Sequence, residues 1–428
     1  MNSNEICVSL DIGTSSVKVI IGEMVNDSLN IIGVGNVKSE GLKKGSIVDI
    51  DETVHSIKKA VEQAERMVGI QINQVVVSVP ASHVQLQDCH GVVAVSSESR
   101  QNREISNDDV LRVIDAAQFV SLPPEREIID IIPKQFIVDG YDEINDPRGM
   151  LGVRLEVEGT IITTSRTILH NLLRCVERAG LDIVAICLQP LAAGSITLSE
   201  DEKNLGVGLV DLGGGSTSIA IFKDGFLKST SVLPIGGDHI TKDISIGLRT
   251  STEDAEKIKT KHGHAYYNLA SDEEVFSVPI IGSDQHQQFS QREISDIVEA
   301  RLEEILELVQ YEIKKLGVKD LPGGYVLTGG VVNMPGVLEL AQDVLRNNVR
   351  IAKPDYIGVR ESQYSTGVGL IQFAYEHARI QGRSIGTTVT IDTPEKRVNK
   401  QQPEKNNSKS NDQNIGKKVK RFFGYFFE

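Results

Sequence analysis

The first 380 residues of the chain alternate between short apolar runs and amphipathic segments. Residues 8–22 contain an apolar run, a turn of glycine and hydroxyl residues, and a second apolar run, which predicts a β-hairpin. Residues 28–38 predict a third strand, residues 51–68 an amphipathic helix and residues 74–80 a short buried strand. Three strands, a helix and a further strand are typical of a layered α/β domain.

The pattern changes between residues 81 and 166. It predicts strands over residues 83–95, 127–138 and 154–164, and a helix over residues 106–120 with Ser106 as its N-cap. We interpret this segment as a small inserted α+β subdomain. The α/β pattern then resumes with a helix over 167–179, a strand over 183–188 and a helix that begins at Gln189, before a polar break at 201–204.

A second hairpin with the pattern of the first spans residues 207–222. The elements predicted after it are strands over 226–234 and 325–328 and helices over 240–246, 252–262, 290–316, 335–344 and 366–380. Together the elements predict a first domain (residues 1–80, 167–200 and 360–383), the inserted subdomain (81–166), a second domain (201–247 and 319–359) and a small subdomain (248–318).

The last 45 residues have a different composition. Residues 384–414 are rich in Asn, Gln, Lys, Ser and Thr without hydrophobic periodicity, which predicts a disordered linker. Such a linker of about 30 residues would span roughly 30 Å.

Residues 415–428 predict a short amphipathic helix. The apolar face comprises Ile415, Val419, Phe422, Phe423, Phe426 and Phe427, flanked by Lys417, Lys418, Lys420 and Arg421. This segment is too short to cross a membrane, and a basic, aromatic helix fits the surface of anionic lipid. The alternative is a helix that docks on the protein itself or on a partner; the polar linker and the acidic body favour lipid.

Composition and charge narrow the classes of function. The net charge is −14, of which residues 400–428 contribute +4 and the rest of the chain −18. An acidic body argues against non-specific binding of nucleic acid. The four cysteines are scattered without the spacing of a metal site or disulfide framework, and no signal peptide or apolar run of about 20 residues is present. We expect a cytoplasmic, reduced protein.

The two hairpins carry the strongest chemical signal. Asp11 and Asp211 end the first strand of each hairpin, where small residues let backbone N–H groups approach a phosphate. We expect the two carboxylates to hold a hydrated Mg²⁺ and the attacking water. The residues expected around the phosphates are Gly13, Thr14, Ser15, Ser16 and Lys18 on one side and Gly213, Gly214, Gly215, Ser216 and Thr217 on the other. The alternative is a pair of structural Asp-Gly hairpins.

Three further groups are candidates for the same site. Gln189 has an amide that would orient a water, or would cap its helix. Glu256 and Lys259 share a helix face, where they would bind ribose hydroxyls or form a solvated pair. Gly329 and Gly330 follow a strand, where bare backbone would support a flat base or make a tight turn.

The order of these features along the chain resembles the order found in the actin, heat-shock-chaperone and sugar-kinase superfamily. Within that superfamily the chain resembles the FtsA family of bacterial cell-division ATPases, and its sequence is close to those of members from low-GC Gram-positive bacteria. The matching segments are DIGTSSVKVIIGE at residues 11–23, GLKKGSIVDID at 41–51, LGVRLEVEGT at 151–160, ICLQPLAAGS at 186–195 and DLPGGYVLTGG at 320–330. The resemblance covers residues 4–382 and the extreme C-terminus.

The resemblance implies an actin-like (ribonuclease H-like) two-domain ATPase fold of the α/β class, with the inserted α+β subdomain, the disordered linker and the C-terminal amphipathic helix. It also implies ATP and Mg²⁺ in the cleft, self-association into head-to-tail filaments, and binding of the C-terminal peptide of the tubulin-like protein FtsZ. That peptide is expected on the small subdomain, where Arg301 resembles a family position for it, although a surface Arg between Glu299 and Glu303 also has a structural explanation.

We therefore interpret the chain as an ATP-dependent protein that polymerises and tethers FtsZ filaments to the inner face of the membrane at the division site, with other division proteins as further partners. Hydrolysis, where present, is expected to be slow. A sugar kinase would need a carboxylate base in the cleft, for which we find no candidate. A chaperone ATPase would need a folded substrate domain after the nucleotide body, and the inserted segment and terminal helix argue against a rod-shape actin homologue.

Overall fold

The computed structural model describes residues 5–95, 104–282, 285–380 and 390–391. Within these ranges the chain forms two α/β domains, each with its own five-stranded sheet. None of the helices in the described ranges combines the length and the apolar character that a membrane crossing requires.

The strands, in chain order, are β1 (Glu5–Ile12), β2 (Ser16–Val25), β3 (Ser28–Lys38), β4 (Leu42–Lys43), β5 (Ser46–Ile47), β6 (Ile70–Gln71), β7 (Gln74–Val79), β8 (Gln85–Ala94), β9 (Arg126–Val138), β10 (Tyr141–Ile144), β11 (Arg154–Ser165), β12 (Asp182–Leu188), β13 (Val207–Leu212), β14 (Thr217–Lys223), β15 (Phe226–Leu233), β16 (Val275–Pro279), β17 (His286–Ser290), β18 (Tyr325–Thr328), β19 (Val349–Ile351) and β20 (Thr390–Ile391).

The α-helices are α1 (Ile50–Val68), α2 (Asn107–Ala116), α3 (Arg166–Arg178), α4 (Gln189–Thr197), α5 (Glu200–Leu205), α6 (Gly237–Leu248), α7 (Thr252–His262), α8 (Gln291–Lys315), α9 (Val337–Leu345) and α10 (Ser365–Ile380). Short 3₁₀ turns occur at Tyr267–Leu269, Val331–Asn333 and Ser362–Tyr364.

The two main sheets have the same topology. The first has the strand order β12-β7-β1-β2-β3 and the second the order β15-β14-β13-β18-β19, which is the same arrangement read from the other edge. In each, an antiparallel hairpin and third strand are extended by two parallel strands that return through helices. The near-continuous apolar runs of the hairpin strands are buried on both faces, as expected for strands covered by helices on each side.

The inserted subdomain is a four-stranded antiparallel sheet of order β10-β9-β11-β8, with α2 packed on one face. Ser106 caps α2 reciprocally with Asp109, as the sequence predicts. The small subdomain contains α7, the hairpin β16–β17 and the 25-residue helix α8, whose apolar stripe packs against the second sheet. Helix α10 packs on α4 and on β1 of the first domain.

The structure confirms the α/β class and most predicted elements, with the following differences. The predicted polar break at 201–204 belongs to helix α5, because Ser199 and Glu202 form a capping box. The helix expected from Pro335 begins at Val337, after a 3₁₀ turn. The strands that were not predicted are β4, β5, β6, β10, β16, β17 and β19. Two residues of the predicted linker, Thr390 and Ile391, pair with β6; the rest of the linker and the predicted helix over 415–428 lie outside the described residues.

Candidate functional site

The turns of the two hairpins have the same backbone conformation. The N–H of Gly13 donates to the carbonyl of Ser16 at 3.1 Å, and the N–H of Gly213 donates to the carbonyl of Ser216 at the same distance. Corresponding residues differ in number by 200, so Asp11 pairs with Lys18 as Asp211 pairs with Ser218. An aspartate at the start of a turn closed by the same hydrogen bond therefore occurs once in each domain.

The two turns face each other closely across a cleft. A Cβ atom added to Gly214 would lie 1.7 Å from the Ser15 hydroxyl, and one added to Gly215 would lie 2.6 Å from the Thr14 methyl group. A side chain at 214 or 215 would therefore have to displace the Ser15 or Thr14 side chain of the opposite turn. The cleft between the domains has a volume of about 440 Å³. All the predicted phosphate, metal, ribose and base residues line it except Thr217.

Asp11 is held by several donors on the floor of the cleft. Its Oδ1 accepts hydrogen bonds from the Ser78 hydroxyl at 2.9 Å and the Gln189 amide at 3.2 Å, and Lys18 Nζ lies 3.7 Å from its Oδ2. Asp11, Lys18 and Ser78 are all buried. Gln189 begins α4 directly after β12, which places its amide beside the end of β1. In this structure the amide is bound to Asp11.

Asp211 has different surroundings. Its carboxylate receives no hydrogen bond from the residues that the structure describes. Burial, reinforced by the charge of Asp11 and opposed by that of Lys18, raises the pKa of Asp211 to about 6. The two predicted metal ligands are therefore not equivalent, because Asp11 is fixed by neighbours and Asp211 is available.

The second turn is braced by the start of α6. The N–H groups of Gly237 and Asp238 donate to the carbonyls of Gly213 and Gly214 at 3.0 and 2.8 Å. Gly236 is needed there, since an added Cβ would lie 2.4 Å from the Gly213 carbonyl oxygen.

The prediction for Thr217 is corrected by the structure. Thr217 is fully buried and its hydroxyl donates to the carbonyl of Ile235 at 2.8 Å. It corresponds to the buried Val17 of the first hairpin, and alternation along the strand turns the next residue to the cleft. That residue is Ser218, which lines the cleft where Lys18 does on the other side.

Glu256 and Lys259 do not form a solvated surface pair. Lys259 is buried, and its Nζ donates to Glu256 Oε2 at 2.6 Å, the Thr241 hydroxyl at 2.7 Å and the Gly237 carbonyl at 3.1 Å. Glu256 is half exposed towards the cleft. Lys259 thus joins α7 to the start of α6, and Glu256 presents an acceptor to the cleft.

The Gly329–Gly330 turn lies at the end of β18, next to Asp211. Gly329 has a φ of +96°, and an added Cβ would lie 2.3 Å from Asp211 Oδ1. Gly330 has open space at the corresponding position. The 3₁₀ turn after it brings Asn333, Met334 and Pro335 to the cleft, opposite Gly263 at the end of α7.

Several lining residues were missed from the sequence. Ser78 sits one strand from Asp11, in a register that only the folded sheet defines. Gly45 donates its N–H to the Thr14 hydroxyl at 3.0 Å, and Pro80, Ala81 and Ser82 form the edge of the cleft where β7 ends. Ser218 was detectable, because the second hairpin repeats the strand–turn–strand pattern of the first at a constant offset of 200 residues.

The other predicted residues lie away from the cleft. Arg301 is on α8, about one quarter exposed, and donates to Asp243 of α6 and to Glu304. The predicted membrane residues, from Ile415 to Phe427, lie outside the described part of the chain.

The donor set around the cleft suits a magnesium ion with a phosphate ligand. Mg²⁺ is usually bound by one or two carboxylates, with waters and substrate phosphates completing its shell. Asp11 and Asp211 supply two carboxylates, and the described residues contain no group of three His, Cys, Asp or Glu side chains that would form an all-protein metal cage.

Comparison with known proteins agrees with the architecture. The family profile described as "Cell division protein FtsA" matches residues 208–369, and that described as "SHS2 domain inserted in FTSA" matches residues 81–163. The chain is 68% identical to the cell division protein FtsA of Bacillus subtilis over 386 residues, which cover 90% of this chain and 87% of that protein. It is 41% identical to the FtsA of Enterococcus faecalis, with 98% of each chain covered.

Solved structures with low sequence identity share the fold. The PilM-PilN type IV pilus biogenesis complex aligns with a TM-score of 0.57 at 16% identity, covering 85% of this chain and 97% of that chain. MreB 5 of Spiroplasma citri bound to AMPPNP aligns with a TM-score of 0.54 at 15% identity, covering 88% and 98%. The two-domain body is therefore actin-like.

Proposed function

Because this chain belongs to the FtsA family of cell division proteins, we propose that it binds ATP with Mg²⁺, polymerises and tethers FtsZ filaments to the inner face of the membrane. The observation that carries the nucleotide part is the pair of matching turns facing each other across the cleft. Family membership supports a role in cell division rather than the activity of a sugar kinase or a chaperone.

The lining of the cleft suggests how ATP would lie. Backbone N–H groups and hydroxyls of both turns would bind the β- and γ-phosphates, and Lys18 would neutralise part of their charge. Asp11 and Asp211 would hold the hydrated Mg²⁺, which stabilises the phosphate charge. Glu256 would accept from ribose hydroxyls, and the base would lie between the Gly329–Gly330 turn and the segment around Met334.

The position of Gln189 supports slow hydrolysis. Its amide donates to Asp11 in this structure, so it would have to leave that hydrogen bond before it orients a water. Binding of ATP would therefore serve mainly to hold the two domains in one polymerising conformation.

The tether needs contacts at two other surfaces. We propose that the acidic FtsZ peptide binds the small subdomain near Arg301, where it would displace Glu304 from the guanidinium group. The predicted helix over residues 415–428 would bind anionic lipid through its cations and phenylalanines.

Sedimentation with liposomes tests the whole proposal. The full chain and a version that ends at Asn414 are mixed with anionic vesicles, with and without ATP and FtsZ. We expect the full chain to sediment with the vesicles and to bring FtsZ with it, and the shortened chain to do neither. Equal sedimentation of both versions would refute the anchor, and sedimentation without FtsZ would refute the tether.

A further inference from the structure

Three parallel strands of the first domain end on the floor of the cleft. Strand β7 lies between β1 and β12, with Leu10 opposite Val77 and Val79 opposite Leu188. Asp11 and Gln189 therefore lie level with the last residues of β7. The chain leaves β7 through Pro80, Ala81 and Ser82, which line the cleft, and continues directly into β8 of the inserted subdomain.

Ser82 has an unexplained hydroxyl group. Its Oγ is buried and has no hydrogen-bond partner among the described residues. Buried polar atoms are nearly always bonded, and this hydroxyl lies at the edge of a cleft that a ligand would enter. A serine hydroxyl reaches several directions by rotation between staggered positions, which lets it turn to a ligand in the cleft.

The chain after Ser82 is held firmly to the inserted sheet. Arg126 of β9 donates through Nη2 to the His83 carbonyl at 3.0 Å and to the Thr163 carbonyl at 2.8 Å, and through Nε to the Thr163 hydroxyl at 2.9 Å. One guanidinium thus ties the incoming and outgoing strands of the subdomain together. The inserted sheet should therefore move as a unit when Ser82 is displaced.

An open groove lies beneath the inserted subdomain. It has a volume of about 160 Å³ and lies between Leu86 and Ile132 of the subdomain, Leu191 and Phe373 of the first domain and Phe222 of the second. Side-chain packing does not close this three-way contact, which leaves room for the subdomain to shift.

We propose that Ser82 binds the terminal phosphate of a nucleoside triphosphate, directly or through a water, and that this contact sets the position of the inserted subdomain. The proposal rests on the nucleotide binding proposed above. Ser82 is on the Asp11–Gln189 side of the cleft, where the terminal phosphate would lie, and not on the Glu256–Lys259 side. It acts as a positioning residue that distinguishes triphosphate from diphosphate.

The test measures nucleotide affinity and subdomain position separately in the full chain. Spin labels are placed with Tyr141→Cys on the inserted subdomain and Ile357→Cys on the body, both strongly exposed sites, while the native cysteines are buried. Distances are measured by pulsed electron resonance without nucleotide, with MgADP and with a non-hydrolysable MgATP analogue. Equilibrium binding gives the ratio of ATP to ADP affinity.

We expect the triphosphate to shift the label distance in the wild-type background and Ser82→Ala to remove most of that shift. The same variant should lower the ATP-to-ADP affinity ratio about 3- to 10-fold, the value of one hydrogen bond. Ser82→Thr, which keeps the hydroxyl, should restore both. Ser295→Ala is the matched control, because its hydroxyl is also buried and unpartnered but lies in α8, away from the cleft.

Three results would overturn the inference. Nucleotide binding with the same distance in all three states, or a Ser82→Ala variant that keeps the full shift and the affinity ratio, refutes it while leaving the proposed function intact. Failure of the wild-type chain to bind nucleotide refutes the proposed function and this inference together.

Discussion

At the residue scale, the two aspartates of the cleft should respond in opposite ways to the same substitution. The raised pKa of Asp211 means that its ionised form is disfavoured in the folded chain. The associated stability is fully present below the unfolded pKa near 4 and is lost as pH rises through about 6. Asp211→Asn should therefore stabilise the nucleotide-free chain at pH 7.5 by about 1–2 kcal/mol, with little effect near pH 4.5.

Asp11→Asn should instead destabilise the nucleotide-free chain. It removes the counter-charge of the buried Lys18, which should cost about 3 kcal/mol at pH 7.5. Thermal or denaturant unfolding of both variants at pH 4.5 and 7.5 checks this, and a destabilising Asp211→Asn at pH 7.5 would contradict it. Both variants should lose MgATP binding, so Asp211→Asn should gain stability while it loses function.

The sequence predicts the chemistry of the site better than the direction of each side chain. Asp11, Asp211 and the glycines follow from turn geometry and from the repeat. Thr217 was misassigned because composition alone does not distinguish it from Ser218; the match with Val17 and Lys18 does. Ser78 and its hydrogen bond to Asp11 depend on strand pairing, which a single sequence does not encode locally.

At the element scale, the turn after β18 offers a matched pair of glycines. Gly329→Ala should destabilise the chain by about 2–3 kcal/mol, because φ is +96° and the new methyl group would strike Asp211 and the Leu212 carbonyl. Gly330→Ala meets no atom within 4 Å and should change stability by less than about 0.5 kcal/mol.

The same pair tests the proposed base site. A methyl group at 330 would stand where the base is expected to lie, so Gly330→Ala should weaken ATP binding about 10-fold, roughly 1.4 kcal/mol. Unfolding curves and a nucleotide titration measure the two effects. Unchanged affinity in a well-folded Gly330→Ala chain would place the base elsewhere.

A second prediction at this scale concerns α8. Arg301→Glu should abolish recruitment of the acidic FtsZ peptide, whereas Arg301→Lys should retain part of it. Arg66→Glu, on the exposed face of α1, is the control for the change in net charge. Peptide binding by anisotropy, together with an unfolding curve for each variant, separates a lost contact from the loss of the Asp243 ion pair. Equal binding by Arg301→Glu and the wild type would rule out this position.

Several element boundaries were predicted to the residue. Strands β3 and β18 and helix α7 have the predicted bounds. Helix α5 was missed although Ser199 and Glu202 have the spacing of a capping box, and β10 was missed although Asp139 and Gly140 mark a hairpin turn. Both elements are short, so their hydrophobic pattern carries little weight beside the turn signals.

At the scale of the whole molecule, an acidic body and a basic tail predict a salt-sensitive attachment. Each cation near an anionic surface contributes about 1 kcal/mol. The combined variant Lys417→Gln, Lys418→Gln, Lys420→Gln and Arg421→Gln should therefore lower vesicle binding roughly a thousandfold. The control is Lys58→Gln with Lys59→Gln on the exposed side of α1. Vesicle sedimentation in low and high salt measures this, and salt-independent binding would contradict it.

The domain pairing was predictable because the chain contains two copies of one hairpin. The proposed coupling of the inserted subdomain to the cleft was not predictable from the sequence. It depends on where β7 ends and on the hydrogen bond from Arg126 to the His83 carbonyl.

The match between the two turns has a consequence for the direction in which a ligand binds in the cleft. A cleft built from two identical loops related by a twofold axis would accept an elongated anion equally well in either of two opposed directions. Here one side presents the ammonium group of Lys18 and the other the neutral hydroxyl of Ser218, and only one side is followed by the clamped α6–α7 pair. The duplicated turns thus hold the ligand from both sides, and the side chains in which the two copies differ decide the direction in which it binds.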